Sequence, residues 1–373
     1  PVLARDGPGG QRVNAVGCFI FQGSFTVGVA KRFKVIAHLE DGDFGVATFK
    51  LNFPDVPVHT VVEDWPLGEL AGKVDLLYGN PPCAPFSPIG ATISSKKKGI
   101  GQWRADDRIK CWHNLMLAVA TIKPMVFVGE SVPRFYTAGW ELSGKYARHL
   151  FSMGYMVYIV LHDIKFMGAA QQRRRVFLVG SKVKLDWPVP RHKPVTVRDA
   201  IGDLNDPGEY MVPRDEIVEI LPYMPADNKS LVNLYDKAYG HMTREEQKKQ
   251  GLHRPRFVEG RSTFDRQIGT VFGNTMLHPE EVRYLGLREL MRLMGYPDDY
   301  RWSGNLGEAI GEMVKAVTPF AGRYAANVVA DGLKLDRRVR KPKVIEVVRW
   351  AKSSRILDMK VVPSETDITG RLP

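Results

Sequence analysis

Cys83 sits in Gly79-Asn80-Pro81-Pro82-Cys83-Ala84-Pro85-Phe86-Ser87, where prolines stiffen the backbone on both sides of the thiol. A structural cysteine more often lies inside an apolar run, as Cys18 does. On a loop of this kind a cysteine is a candidate nucleophile, provided something lowers its pKa or helps its attack. Two later segments carry groups able to help. Gly129-Glu130-Ser131-Val132 brings a carboxyl group and Gln171-Gln172-Arg173-Arg174-Arg175 brings guanidinium groups. Singly, each reads as a salt-bridged structural group; at successive strand ends they read as a site. Near the start, Phe21-Gln22-Gly23-Ser24-Phe25-Thr26-Val27-Gly28 forms a turn with two glycines, and Glu40 follows 17 residues after Gly23. A glycine turn on one strand and an acid on the next suit a nucleoside, with the carboxylate accepting from ribose hydroxyls. An ordinary strand–helix turn with an exposed Glu explains those residues about as well. Ser95-Lys96-Lys97-Lys98-Gly99-Ile100-Gly101 reads either as a loop that closes over phosphates or as a solvated charge run.

The elements that must deliver these groups follow from periodicity. β-rich runs at 15–21, 35–40, 58–63, 74–79, 125–128, 156–161 and 176–180 alternate with helical patterns such as 107–122 and 142–153. Alternation of this kind predicts an α/β fold with a doubly wound, mostly parallel sheet, whose ligands lie at the carboxyl ends of the strands. From about residue 184 the texture turns Pro-, Arg- and Lys-rich and reads as irregular to about 277; helical patterns return at 287–294 and 319–333. The expected organisation is a catalytic and donor-binding domain at 1–184, an inserted smaller domain at 185–277, a return segment at 278–333 completing the first domain, and a basic C-terminal extension at 334–373.

Composition limits the function classes. The chain has 373 residues, 44% hydrophobic and 25% charged, as expected of a soluble globular protein. Single cores stop growing near roughly 250–300 residues, so two domains are expected. No apolar run approaches the roughly 18 residues of a membrane span, and no signal-peptide pattern opens the chain. The expectation is therefore a cytoplasmic protein without a membrane partner. Three cysteines, odd in number and without zinc-like spacing, imply free thiols and no metal. A net charge of +12 favours a polyanionic partner such as nucleic acid, although many basic proteins bind none.

With these motifs in order, the chain resembles the cytosine-C5 DNA methyltransferase family over roughly residues 13–333. The resemblance rests on a Phe-x-Gly turn, an acid on strand two, the Pro-Cys loop, Glu-x-Val and Gln-x-Arg-x-Arg segments, then His278-Pro279-Glu280-Glu281 and Arg288-Glu289-Leu290-Met291-Arg292-Leu293-Met294-Gly295-Tyr296-Pro297. It implies the class I S-adenosylmethionine-dependent methyltransferase fold with an inserted target-recognition domain. Cys83 becomes the nucleophile on C6 of a flipped cytosine, Glu130 the group at N3, and Arg175 with Arg173 the residues that orient base and carboxylate. Phe21, Gly23, Glu40, Asp64 and Pro81 fall in the donor site. Ser87, the lysines 96, 97 and 98 (Lys96, Lys97, Lys98), and Arg254, Arg256 and Arg261 fall to double-stranded DNA, bound by a monomer in a bacterial or phage-host cytoplasm.

The chain also departs from the family. Ser24, Phe25 and Thr26 stand where small glycines are usual, and Ser131 where Asn is common. Counted without gaps from Tyr296-Pro297, the family's Gly-Asn-x-Val-x-Pro motif falls on Val314-Lys315-Ala316-Val317-Thr318-Pro319, so Lys315 replaces the asparagine. An ammonium about 4 Å from a sulfonium costs roughly 4 kcal/mol at an effective dielectric near 20. A donor carrying a carboxylate, carboxy-S-adenosylmethionine, would pair with Lys315 and yield 5-carboxymethylcytosine. Against this stands a lysine that reaches solvent in an ordinary methyltransferase giving 5-methylcytosine. A tRNA cytosine methyltransferase, a DNA-binding protein with a dead site, and more distantly a small-molecule reductase remain the other readings.

Overall fold

The computed structural model describes residues 13–87, 104, 106–223, 231–255, 259–273, 275–335, 345–350 and 356–362. Seven strands come from the first half: β1 (Asn14–Cys18), β2 (Lys34–Leu39), β3 (Val58–His59), β4 (Leu76–Gly79), β5 (Val126–Ser131), β6 (Met156–Asp163) and β7 (Arg174–Ser181). Two short strands, β8 (Gly260–Arg261) and β9 (Met276–Leu277), pair separately, and β10 (Ile345–Trp350) and β11 (Ile356–Val362) come from the C-terminal region. The main sheet has the order β11-β10-β6-β7-β5-β4-β1-β2-β3. β1 lies parallel between β2 and β4, and β5 continues parallel to β4. β7 runs antiparallel between β5 and β6. Every expected strand is present, and the sheet is the doubly wound, mostly parallel one expected.

All six residues of β5 are buried, as a strand covered on both faces requires. The helix Ile109–Ile122 lays Trp112, Leu115, Met116, Val119 and Ile122 into the core, at the spacing of one helical face. Because β7 is reversed, its first residues lie at the same edge as the last residues of β5, with Ser131 opposite Val176. Three strand ends thus deliver Gly79, Glu130 and Arg175 to one side of the sheet.

Residues 1–167, 174–191 and 316–373 group into one compact unit and 168–173 with 192–315 into another. In the first, the Trp187 indole N–H donates to His162 Nε2 at 3.0 Å, and the Tyr324 hydroxyl donates to the Pro188 carbonyl. The segment leaving the sheet is thereby fastened to β6 and to the returning helix Pro319–Leu335.

The stretch read as irregular is more ordered than its composition suggests. Helices Val197–Ile201, Asp215–Ile220, Leu231–Tyr239 and Arg244–Lys249 lie within it. Capping boxes at Thr196/Asp199 and Thr243/Glu246 start the first and last of them, and Ile217, Ile220, Leu231, Leu234 and Tyr235 of the other two form an apolar cluster. These helices are too short for periodicity to stand out among prolines and charges. Further along the second unit, buried Arg283 bonds Glu289 at 2.7 and 3.0 Å and Glu281 at 2.9 and 3.0 Å.

Candidate active site

The Pro-Cys loop leaves β4 with the Asn80 N–H donating to the Cys18 carbonyl at 3.2 Å. Pro81 is buried, and Cys83 begins a single 3₁₀ turn, Ala84–Phe86, its carbonyl accepting from the Phe86 and Ser87 N–H groups at 3.0 Å each. Cys83 is partly exposed, whereas Cys18 and Cys111 are buried. Burial, then the Glu40 charge, pushes the Cys18 thiol well above its ordinary range. Burial and the bond to Asp41 push the Cys111 thiol up to about 12. Cys83 is therefore the thiol placed for chemistry. Arg108, bonded to Asp106 at 2.8 and 2.6 Å, is raised above the usual guanidinium range by that bond first, and the Asp106, Cys83 and Cys111 charges add to it.

Glu130 is 2% exposed near the end of β5. The Asn80 Nδ2 donates to Glu130 Oε2 at 2.7 Å, and Arg175 Nε lies 2.9 Å from Oε1. The amide hydrogen bond to Oε2 and the Arg175 ion pair beside Oε1 hold the carboxylate in one orientation. Only Pro81 and Pro82 separate Asn80 from Cys83, so thiol loop and carboxylate share an anchor. Arg173 goes elsewhere: its guanidinium donates to the Val314 carbonyl at 3.0 Å and the Val271 carbonyl at 3.5 Å, within the second unit.

The nucleoside turn is built from left-handed backbone at Phe19 (φ 54°), Phe21 (φ 53°) and Gly23 (φ 94°). Only glycine adopts that region without strain. A side chain at Gly23 would also strike the Phe49 ring, at 2.7 Å. The Phe21 N–H donates to Glu40 Oε1 at 2.7 Å, and His38 Nε2 lies 2.6 Å from the same oxygen. Burial raises the Glu40 pKa, opposed by His38 and the Phe21 N–H. The Trp65 indole N–H donates to the Glu40 carbonyl at 2.9 Å. Asp64, the preceding residue, is exposed on the turn Val62–Asp64 that follows a β3 shorter than expected. Glu40 Oε2 accepts no hydrogen bond among the described residues, so one carboxylate oxygen is pinned and the other is open. That open acceptor fits the hydroxyls of a ribose.

The helix Ser24–Val29 follows the turn, and the Ser24 hydroxyl donates to the Val317 carbonyl. Gly28 meets the returning helix so closely that a Cβ there would lie 2.5 Å from the Gly322 carbonyl carbon. Lys315 closes the helix Leu306–Lys315 in the second unit. Its side chain is exposed along much of its length, yet partial desolvation at the ammonium lowers its pKa, with Glu312 opposing.

Of the residues expected to meet DNA, Ser87 is half-buried behind the Cys83 turn. Arg254 is paired with Asp236 at 2.7 and 2.5 Å, and Arg261 donates to the His278 and Glu280 carbonyls at 3.2 and 2.9 Å. Lys96, Lys97, Lys98 and Arg256 lie outside the described residues. The sequence reading gave no role to Asn80, His38 or Arg108. The one available signal was Asn80, a polar residue at the mouth of a proline-stiffened loop.

Residues 17–329 match the profile of the family described as C-5 cytosine-specific DNA methylase. The type II methyltransferase M.Bpa9945I of Bacillus paralicheniformis is 27% identical, the match covering 70% of this chain and 71% of that protein. M1.HphI of Haemophilus parahaemolyticus is 28% identical over 76% of this chain and 77% of its own. The structure of the Entamoeba histolytica methyltransferase EhMeth superposes with a TM-score of 0.62 at 13% identity, covering 88% of this chain and all of that one (100%). That of a Spodoptera frugiperda DNMT2 mutant does so with a TM-score of 0.54 at 13% identity, covering 86% and 99%.

Proposed function

The chain belongs to the C-5 cytosine-specific DNA methylase family, and from that premise we propose that Cys83, Glu130 and Arg175 alkylate C5 of a cytosine flipped out of duplex DNA. The observation that carries this reading is the partly exposed Cys83 thiol on the loop that Asn80 ties to Glu130, with Arg175 on the other carboxylate oxygen. The Cys83 sulfur bonds to C6, and the C5–C6 π electrons move toward C5 and the ring carbonyl side. Glu130, entering the step in its carboxylic acid form, gives its proton to N3, where that charge would otherwise build, and Arg175 keeps the carboxyl group aimed. C5 is then nucleophilic. After transfer the C5 proton passes to solvent water as the Cys83 thiolate is expelled, and N3 returns its proton to Glu130, which restores the aromatic ring.

The donor of this family is S-adenosylmethionine, which supplies an electrophilic carbon when bound. Glu40 would hold its ribose through Oε2, with Phe21 and Gly23 shaping the turn beneath it. We read residues 185–277 as the target-recognition domain, 278–333 as the return segment of the catalytic domain, and the enzyme as acting as a monomer. Arg254 and Arg261 act there as scaffold, given their partners, and Arg173 as a strut rather than a base-orienting group.

For the transferred group, our reading is carboxymethyl. Lys315 takes the asparagine position of the family's last motif, and its ammonium is partly desolvated. The alignment that puts it there gains support from Val317, two residues on, whose carbonyl accepts from Ser24 at the donor turn. The test is to incubate the enzyme with duplex DNA and either S-adenosylmethionine or its carboxylated analogue, then weigh the nucleosides. Preferential 5-carboxymethylcytosine, with Lys315→Asn shifting use to the ordinary donor, is the expected outcome. Methylcytosine alone makes this an ordinary methyltransferase; no modified base from either donor refutes the transferase reading.

A further inference from the structure

We infer that Asn80 is a positioning residue for the base-modifying step, bracing Glu130 from the neighbouring strand end. Asn80 is 3% exposed, and its Nδ2 donates to Glu130 Oε2 at 2.7 Å and, more loosely, to the Glu130 carbonyl at 3.5 Å. Its Oδ1 is buried and has no hydrogen-bond partner among the described residues, so every side-chain bond that Asn80 makes there goes to Glu130. A buried carbonyl left without a partner is destabilising. An apolar residue of similar size would avoid that cost, so what keeps an amide here is its bond to the carboxylate. On β5 itself the adjoining Ser131 gives Glu130 no such help: it is fully buried, and its hydroxyl is also without a partner among the described residues.

Electrostatics agrees with this assignment. An amide N–H on one carboxylate oxygen and Arg175 on the other leave Glu130 a single orientation. Asn80 is joined through Pro81-Pro82 to Cys83, so the same residue sets the distance between nucleophile and carboxylate.

The inference rests on Glu130 meeting the base as proposed above, and the test separates the two. The reaction is followed without donor, by deuterium exchange at C5 of cytosine in duplex DNA in heavy water. Cys83 adds to C6, C5 takes a deuteron from solvent, and elimination of the thiolate with loss of the original proton returns the base. Asn80→Gly is expected to slow exchange about 10- to 100-fold, as loss of a charge-assisted bond implies, at unchanged DNA and S-adenosylhomocysteine affinity and at a temperature below the variant's melting transition. Asn80→Asp, the closest in shape, is expected to be slower still, because it sets a second carboxylate against the first. Asn80→Gly with Ser131→Asn restores part of the rate by supplying an amide from the adjacent residue. Exchange in Asn80→Gly at the wild-type rate overturns the inference, as does Asn80→Asp outrunning Asn80→Gly, which is the ranking a space-filling role gives. Wild-type exchange in Glu130→Gln refutes instead the role of Glu130 on which the inference rests.

Discussion

At the scale of single residues, Cys83 and Glu40 carry the sharpest expectations. Replacing Cys83 by Ser removes the only partly exposed thiol and should abolish both product and C5 exchange, while binding of duplex DNA persists. Wild-type turnover in that variant would exclude covalent catalysis through Cys83. At the turn after β1, His38 Nε2 and the Phe21 N–H share Glu40 Oε1, and the proposed donor ribose would take Oε2. His38→Ala should weaken S-adenosylhomocysteine binding about tenfold, the worth of a charge-assisted bond. The effect should vanish in a Glu40→Ala background, because a residue acting through Glu40 has nothing left to orient. Titration calorimetry on the four proteins decides it, and additive losses would mean that His38 acts by another route.

At the scale of elements, the helix Ser24–Val29 crosses Pro319–Leu335 at a contact only glycine permits. A Cβ at Gly28 would lie 2.7 Å from the Pro319 carbonyl oxygen, whereas one at Gly68 meets nothing within 4 Å. Gly28→Ala should therefore cost about 1–3 kcal/mol of stability through overpacking, and Gly68→Ala should be neutral or slightly stabilising. Urea denaturation compares them directly; equal midpoints would remove the close crossing. The fastening of β6 to residue 187 predicts a pH response. Burial lowers the His162 pKa to about 4 in the folded chain, against about 6.5 when unfolded. Its neutral form, accepting from Trp187, therefore stabilises the fold above about pH 6.5. That contribution is lost as the pH falls from there toward 4, up to about 3 kcal/mol in all. His162→Phe should flatten this part of the stability–pH curve, and an unchanged slope would count against it.

For the whole molecule, a net charge of +12 on a DNA-modifying chain predicts strongly salt-dependent binding. Each phosphate neutralised contributes a slope of about −0.9 to log affinity against log salt, so duplex affinity should fall at least about tenfold between roughly 50 and 200 mM. A flat plot would mean that the charge faces away from the nucleic acid. The paired states of Arg254 and Arg261 show why charge counting locates no contact: a basic residue in sequence is often already committed to a carboxylate or a carbonyl.

By itself the sequence determined the strand and helix alternation, the parallel sheet and the placing of Cys83, Glu130 and Arg175 at its edge. Those features are written in periodicity and turn chemistry over a few residues, and the seven early strands lie where the pattern puts them. The short helices between 197 and 249 and the strands β10 and β11 escaped, the former because their apolar faces span barely two turns, the latter because β11 pairs with β10 and β10 joins the sheet on β6, a strand nearly two hundred positions earlier. Only the tertiary structure decided that Asn80 bonds Glu130 50 positions away and that Ser24 bonds Val317 293 positions away. It also separated Arg173 from Arg175, near neighbours in one basic run: one is spent on carbonyls at 271 and 314, the other on the Glu130 carboxylate. Local pattern carries no information about such partners, because which groups meet depends on how the chain closes, and a buried polar atom takes whichever partner that closure brings within reach.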